Sequence, residues 1–498
     1  MTQAFSSRPS PAHEPLQHGL STLFKDESGN ALLAMMLASG GDERIALGAN
    51  GRNPYGAPIR PADNEIWFAS STASAISRRG WAAAGAALPL AFSATKAEDW
   101  FALLRQRILA ALAPAGANLV FCASGTQAEY AALVAARGLD GDRPKKILNL
   151  LVGPEETGRG APHAASGKHF LDSAPFGPSL QGKRIDGWTG DSIFLAPLPI
   201  RDKSGAPRTA EEIDAIGEFF ARAAVAEGAR AVLHVLDCSK TGLSSFSRHM
   251  AARLKAEFPD HVSVVVDACQ LRCAPETIQA DLASGFMVMI SGSKFAGGPA
   301  FSGALLLPPD MMRMLSRRGE IAWPPGLAAH AALLDWPPVL REKIPGPFGA
   351  RGNQGLGLRW EAALAEYEFY LAQKPEIVAR AVALFGAEAE RNLARFPGLA
   401  LDRFAATPTI LPIFSRSLAG SPLPADPIHH ALRASGLHLG QKVVLGHGEV
   451  LRLCLAAPQI NDFALRLADG ADEATAFAPL ARDMALLFDK WGALLATA

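Results

Sequence analysis

The sequence is poor in cysteine and tyrosine and has no excess of either charge. Five cysteines are scattered over 498 residues, mostly inside apolar runs, so we expect buried free thiols and no disulfide framework. Lys and Arg together number 48, as do Asp and Glu, and the formal net charge is zero. This balance does not indicate a nucleic-acid partner. Small molecules and other protein chains are the expected partners.

Membrane-spanning and metal-binding patterns are also missing from the sequence. The first twenty residues lack the apolar core of a signal peptide, and the longest uncharged stretch, residues 80–95, is too short for a membrane span. The histidines between residues 428 and 447 have no cysteine or carboxylate at ligand spacing, so we expect no metal site. We therefore expect a cytoplasmic protein with no membrane partner.

Apolar runs of strand length alternate with helical patterns from about Asp99 onward. Residues 118–124 and 145–153 are typical of buried strands, and helical spacing follows each of them. Such alternation predicts an α/β fold in which a mostly parallel sheet lies between two layers of helices. We predict an N-terminal arm and substrate-site segment over residues 1–60, a large domain over 61–345 and a smaller α+β C-terminal domain over 346–498.

Chemically useful residues follow several of these strands, where parallel sheets bind their ligands. The turn "SGT", residues 124–126, opens a helix, and its N–H groups and hydroxyls suit a phosphate. Lys294 follows an apolar strand, close to Ser291, Ser293 and glycines, and a partly desolvated lysine is a nucleophile toward carbonyls. In "VVVDACQLR" the acid Asp267 ends another apolar strand, and a buried carboxylate needs a cation beside it.

A phosphate cradle, a lysine and a carboxylate at neighbouring strand ends suit pyridoxal 5′-phosphate. This cofactor needs a lysine for a Schiff base and a carboxylate that keeps its pyridine nitrogen protonated, so that the ring accepts electrons. The motifs "DACQ" and "SGSK" resemble those of the fold-type I pyridoxal-phosphate enzymes, in particular the class V aminotransferase and cysteine desulfurase branch. The resemblance covers roughly residues 118–308. It implies a seven-stranded type of sheet in the large domain and a homodimer with shared active sites.

The resemblance also implies roles for particular residues. Lys294 would form the Schiff base and shuttle the α-proton, Asp267 would pair with the pyridine nitrogen, and Gln270 would contact the ring oxygen. Arg452 would bind the substrate carboxylate, and the alternative is a strand-edge arginine paired with a surface acid. The residues implied around the phosphate are Ser124, Gly125, Thr126, Ser291, Ser293 and, toward the neighbouring subunit, Asn353.

Three positions depart from the family pattern. Ser293 stands where the family has histidine, and Asn353 stands where it has threonine. No aromatic residue follows the strand that ends in "LLVG", where the family places the side chain that covers the cofactor ring. The sequence does not choose among the residues of that region, which are Glu155, Glu156, Thr157 and His163.

The sequence determines the cofactor better than the reaction. We predict an aminotransferase-like transferase that acts on an amino acid or amine, and a lyase (decarboxylating, β-eliminating or aldol-type) is the alternative. Residues 308–347 contain no cysteine, which argues against a desulfurase. Asp237, Ser239 and Lys240 follow another strand and are candidates to line the site. Two alternatives come from other classes: a catalytically silent scaffold, and an enzyme in which Lys294 only contacts a different phosphorylated ligand.

Overall fold

The computed structural model describes residues 27–70, 74–93, 95–141, 146–190, 192–417 and 419–496. Residues 1–26, which belong to the predicted N-terminal arm, lie outside the described residues. Within the described ranges the predicted α/β fold is confirmed, because helices flank a largely parallel sheet. Among the described helices, none combines the length and the apolar composition that a membrane crossing requires.

The large sheet has seven strands in the order β2-β8-β7-β6-β5-β3-β4, and β8 is the antiparallel one. Successive side chains of a strand point to opposite faces, so this sheet serves two apolar cores. On β2, for example, Leu119 and Phe121 enter one core and Val120 and Cys122 enter the other. The strand bounds are β2 Asn118–Cys122, β3 Ile147–Val152, β4 Ile193–Leu198, β5 Arg230–Leu236, β6 Val262–Ala268, β7 Met287–Ser291 and β8 Gly303–Leu307.

A second sheet of five strands, in the order β1-β11-β12-β10-β9, lies mostly in the C-terminal part of the chain. Its first strand comes from far upstream, because β1 pairs in parallel with β11. This strand falls inside the range predicted for the large domain, and the domain boundaries themselves stay a prediction. The strand bounds are β1 Ile66–Phe68, β9 Leu399–Leu401, β10 Ile410–Ser415, β11 Leu437–Leu445 and β12 Gly448–Cys454.

Helices cover the large sheet and make up much of the C-terminal third. The described α-helices are α1 Glu27–Leu37, α2 Arg78–Ala91, α3 Ala97–Leu112, α4 Gly125–Gly138, α5 Ala161–Ala165, α6 Ala210–Ala226, α7 Arg248–Glu257, α8 Pro275–Ala283, α9 Pro309–Ser316, α10 Pro338–Arg341, α11 Gln354–Leu371, α12 Pro375–Arg395, α13 Ala425–Ala434, α14 Ala457–Ala468 and α15 Glu473–Ala496. Helix α6 begins with a capping box in which Thr209 Oγ1 accepts the N–H of Glu212 at 3.2 Å.

A buried arginine of α11 joins the N-terminal segment to the large sheet. Arg359 is fully buried, and its guanidinium donates to the carbonyls of Leu37 at 2.9 Å and Ser39 at 2.5 Å. It also donates to the carbonyl of Phe301 at 2.8 Å, in the segment that precedes β8. Because these carbonyls would otherwise be unpaired in the interior, Arg359 fixes the chain that leads to residues 42–55 against the carboxyl edge of the sheet.

Candidate active site

A cavity of about 400 Å³ lies at the carboxyl ends of the parallel strands of the large sheet. It contains almost all of the residues that the sequence singles out. Asn353 does not line it: its Oδ1 accepts the N–H of Leu356 at 3.1 Å as the N-cap of α11, and its Nδ2 donates to the carbonyl of Gly40 at 2.9 Å. The predicted site residues that line the cavity are Ser124, Gly125, Thr126, Asp267, Gln270, Ser291, Ser293, Lys294 and Arg452.

The amino end of α4 opens into the cavity. Ser124 is the N-cap, and its Oγ accepts the N–H of Gln127 at 3.2 Å. A Cβ on Gly125 would lie 2.5 Å from Cys269 Sγ, so a larger residue there would require the Cys269 side chain to shift. Helix N-termini carry unpaired N–H groups and a partial positive charge. This turn is therefore suited to hold an anion such as a phosphate.

Asp267 and Gln270 come from the end of β6 and the turn that follows it. Asp267 Oδ1 accepts the N–H of Cys269 at 3.0 Å, and the carboxylate has no ion pair with any cation of the described residues. Gln270 is buried, and its Oε1 has no hydrogen-bond partner among the described residues. Leu271 has a φ of 53°, a left-handed conformation that turns the chain directly after Gln270. Both side chains therefore keep unused hydrogen-bonding capacity in the cavity.

Two buried titratable side chains, which the sequence did not single out, lie near Asp267. Glu129 of α4 has an oxygen 3.4 Å from Nε2 of His234 on β5. Burial, with a smaller contribution from Asp267, raises the pKa of Glu129 well above its usual range. Burial lowers the pKa of His234 to about 4, although Asp267 opposes this. Burial therefore favours the neutral form of both groups.

Lys294 and two serines follow β7. Ser291 Oγ lies 2.7 Å from Ser293 Oγ, and the N–H of Ser293 donates to Ser291 Oγ at 3.3 Å. The Lys294 side chain faces the cavity and has no hydrogen bond or ion pair with the described residues. The serine pair fixes the turn on which the lysine stands, and the amine itself is left for a ligand.

The loop after β3 is built around a buried carboxylate. Glu156 accepts hydrogen bonds from Arg201, from Thr241 and from Ser239 Oγ, the last at 2.5 Å. Burial opposes the ionisation of Glu156, but Arg201 and the two hydroxyls outweigh it and lower the pKa. Thr157 is the next residue, and it lines the cavity.

The other residues considered for covering the ring are placed differently. Glu155 is exposed and accepts the N–H of Ile200 at 2.7 Å, so its carboxylate is bound to the neighbouring loop. His163 lies on α5 and does not line the cavity. Glu156 borders the cavity, but its carboxylate is held from the other side by Arg201. Among the four, Thr157 lines the cavity with a neutral side chain, whose hydroxyl donates to the carbonyl of Pro154 at 3.4 Å.

Basic side chains line the part of the cavity next to β5 and β12. Arg452 of β12 is buried, and it donates through Nε to the carbonyl of Gln441 at 2.9 Å and through Nη1 to the carbonyl of Lys240 at 3.4 Å. Lys240 and Arg159 also line this part. The surface ion pair considered for Arg452 from the sequence is absent among the described residues, and the guanidinium faces the cavity.

An arginine of the N-terminal segment closes the cavity near α4. Arg44 pairs with Asp42 at 2.6 Å, lies over the rings of Phe170 and Phe301 at 5.2 Å and 4.6 Å, and reaches Ser124 Oγ at 3.4 Å. Sequence reasoning missed this residue, because nothing local connects residues 42–44 with the strand ends. The one signal was the aspartate–arginine pair within three residues.

Comparisons with known proteins agree with this architecture. Neither a protein-family model nor a curated protein sequence matches the chain. An alanine–glyoxylate aminotransferase from Nostoc sp. is 13% identical with a TM-score of 0.52, over 86% of this chain and 96% of that chain. The TDC of Oryza sativa, solved with PLP and tryptamine, is 14% identical with a TM-score of 0.52, over 99% of this chain and 90% of that chain.

A tryptophan decarboxylase from Catharanthus roseus is 11% identical with a TM-score of 0.52, over 98% of this chain and 90% of that chain. Identities at this level establish a shared fold and nothing finer. The chain has the fold of the fold-type I pyridoxal-phosphate enzymes. The fold expected from the resemblance is thereby confirmed.

Proposed function

We propose that the protein is a pyridoxal-phosphate-dependent enzyme that acts on an amino acid or amine, with Lys294 as the residue that holds the cofactor covalently. One observation carries this proposal. The amine of Lys294, the carboxylate of Asp267, the amide of Gln270 and the amino end of α4 converge in one cavity. Among the described residues, Lys294 and Asp267 form no ion pair, and Oε1 of Gln270 has no hydrogen-bond partner.

The residues suit this cofactor better than a generic phosphorylated ligand. The half-buried Asp267 carboxylate forms no ion pair with the described residues, and a protonated pyridine nitrogen is a cation that would pair with it. The unpartnered Oε1 of Gln270 can accept a hydrogen bond from the ring hydroxyl. The turn at Ser124 to Thr126, with the Ser291–Ser293 pair, supplies N–H groups and hydroxyls for the phosphate.

The proposed roles follow from these positions. When bound, pyridoxal phosphate supplies an electron sink that stabilises negative charge at the substrate α-carbon. Asp267 would hold a proton at the pyridine nitrogen, and burial favours the neutral forms of Glu129 and His234 beside it. Lys294 removes and returns the proton at the α-carbon as general acid and base. Arg452 orients the substrate through its α-carboxylate, which a guanidinium binds with two parallel hydrogen bonds.

An aminotransferase-like reaction is the primary proposal, and a decarboxylating or other lyase is the second candidate. The same lysine and carboxylate serve both, and the fold is shared with an aminotransferase and with a decarboxylase. The products distinguish them. A transferase converts an added amino acid to its keto acid only when an acceptor keto acid is present, whereas a lyase releases carbon dioxide, ammonia or an aldehyde without an acceptor.

The first experiment tests the cofactor. We expect the purified protein to show a visible absorbance band with pyridoxal phosphate, which borohydride bleaches, and we expect mass mapping to find the reduced label on Lys294. Lys294→Ala should lose both the band and the label, whereas Lys490→Ala, an exposed lysine of α15, should keep them. A protein that remains colourless and unlabelled in excess pyridoxal phosphate contradicts the proposal.

The remaining expectations from the resemblance complete the proposal. We propose a homodimer with shared active sites, in which Asn353 reaches the phosphate of the neighbouring subunit, and a cytoplasmic location. The buried carbonyl and N–H that Asn353 already binds are compatible with a role in positioning the start of α11 at that interface. Sedimentation equilibrium tests the dimer, and pyridoxal-phosphate retention by Asn353→Ala tests the contact.

A further inference from the structure

Three basic side chains stand together at one end of the cavity. Lys240 follows β5, Arg159 follows β3, and Arg452 lies on β12. None of them forms an ion pair with a carboxylate of the described residues, although Glu156 lies close by. Glu156 is occupied, because Arg201 and the hydroxyls of Ser239 and Thr241 bind it. This end of the cavity therefore carries positive charge that the described protein does not neutralise.

Two of these cations are held against each other. Arg452, with 3% of its surface exposed, donates to the main-chain carbonyls of Gln441 and Lys240, so its guanidinium stays next to the Lys240 segment. Burial, followed by the charges of Arg452, Lys294 and Arg159, lowers the pKa of Lys240 to about 8. Two adjacent desolvated cations are unfavourable unless an anion binds between them. We therefore expect anionic groups of a ligand to bind here.

The cofactor phosphate does not pair with Lys240. Its proposed cradle stands on α4, which follows β2, and on the Ser291–Ser293 turn, which follows β7, whereas Lys240 follows β5. Neighbouring strands are about 4.8 Å apart, which separates β5 from β7 by roughly 10 Å and from β2 by roughly 19 Å. One α-carboxylate would satisfy Arg452 and would leave Lys240 without a partner.

We propose that the substrate carries two acidic groups: Arg452 binds its α-carboxylate, and Lys240, with Arg159 at the mouth of the cavity, binds a carboxylate, sulfonate or phosphate on its side chain. This inference rests on the proposed function in that the substrate is an amino acid. A neutral side chain in the same place would leave the Lys240 ammonium desolvated and repelled by Arg452. Selectivity against neutral analogues follows from that cost.

The test uses probes that lack an amino group, so that binding is measured without turnover. Calorimetric titrations of the protein purified with its cofactor compare succinate, 3-sulfopropionate and 3-phosphonopropionate with succinamate, which has one acidic group. We expect at least one doubly acidic probe to bind about tenfold or more tightly than succinamate. Each probe represents one side-chain chemistry, so the tightest one names the class of acidic group.

Variants separate the charge of Lys240 from its bulk. Lys240→Met should reduce the preference for the doubly acidic probe to about twofold or less, while Lys240→Arg retains the preference. Lys490→Met, at an exposed lysine far along the chain, is the matched control and should change neither affinity. Equal binding of all probes by the unmodified protein, or an undiminished preference in Lys240→Met, overturns the inference.

Borohydride labelling of Lys294 on the same samples distinguishes the two proposals. If the label is missing but the preference for two acidic groups is present, the cofactor proposal falls and the anion subsite stands. If the label is present but the preference is missing, only the subsite is lost.

Discussion

The loop after β3 and the end of β6 each place an acidic residue at the same edge of the large sheet, with β5 between the two strands, yet the surroundings of the two acids are opposite. Glu156 is enclosed by Arg201, Ser239 and Thr241, so its charge is fully compensated within the protein. Asp267 accepts one main-chain hydrogen bond and has no cation among the described residues. The first arrangement holds a loop in place, and the second leaves a charge for a ligand.

This difference separates a structural carboxylate from a functional one without reference to any relative. A compensated buried carboxylate stabilises the folded protein, and its removal leaves an unpaired arginine behind. An uncompensated carboxylate destabilises the folded protein until a ligand cation arrives. The sign of the stability change is therefore the quantity that distinguishes the two acids.

The largest effect is expected when the functional acid is replaced. Asp267→Asn should lower the turnover of the identified substrate by about 10²- to 10³-fold, because the charge that holds the proton at the pyridine nitrogen is gone. The free energy of unfolding without cofactor should stay within about 1 kcal/mol or rise, since the amide oxygen still accepts the N–H of Cys269. Steady-state kinetics and denaturant titration measure the two quantities. A variant that is fully active, or one that is strongly destabilised, would put Asp267 in the structural class.

Replacement of the structural acid should have the opposite profile. Glu156→Gln leaves Arg201 buried without its counter-charge and should reduce the free energy of unfolding by about 3–5 kcal/mol. Protein that stays folded should retain pyridoxal-phosphate binding, because Lys294 and Asp267 are untouched. Denaturant titration gives the stability, and Glu155→Gln, at the exposed neighbour, is the matched control with a change within about 0.5 kcal/mol. Equal free energies of unfolding for Glu156→Gln and Glu155→Gln would contradict the structural role of Glu156.

The pH dependence of stability distinguishes Glu156 from a third acid of the site, the buried Glu129. The pKa of Glu156 is lowered in the folded state, so its contribution is present above its unfolded pKa of about 4.3 and is lost as the pH falls through the folded value. The pKa of Glu129 is raised, so the unfolded state releases that proton first and stability falls as the pH rises above about 4.3.

Glu129→Gln tests this sign directly. The variant should lose less stability than the unmodified protein between pH 5 and pH 8, and the two curves should converge on the acid side. Denaturant titrations at several pH values measure the difference. Parallel curves over the whole range would mean that Glu129 is ionised in the folded state.

The sequence was sufficient for the parts of the site that are local and insufficient for those that depend on distant segments. Lys294, Asp267 and Gln270 were found because each follows an apolar run within three residues, and parallel strands bring such ends together. The burial of Glu129 on α4 leaves no local signal. Arg44 reaches the cavity only because Arg359 binds carbonyls of residues 37–40. β1 has only three residues, and no local sequence pattern predicts that it pairs with β11.

The smallest expected effect concerns the cover of the cofactor ring, where the sequence left four residues open. Thr157 lines the cavity and His163 does not, so Thr157→Ala should weaken pyridoxal-phosphate binding a few-fold, by about 1 kcal/mol. His163→Ala should change it by less than about twofold. Fluorescence titration with the cofactor measures both affinities.

If His163→Ala weakens cofactor binding more than Thr157→Ala, the imidazole covers the ring after a movement of α5. Equal pyridoxal-phosphate affinities of the two variants would mean that other side chains of the cavity cover the ring. Phe170 and Phe301 are aromatic residues of the cavity that pack against Arg44.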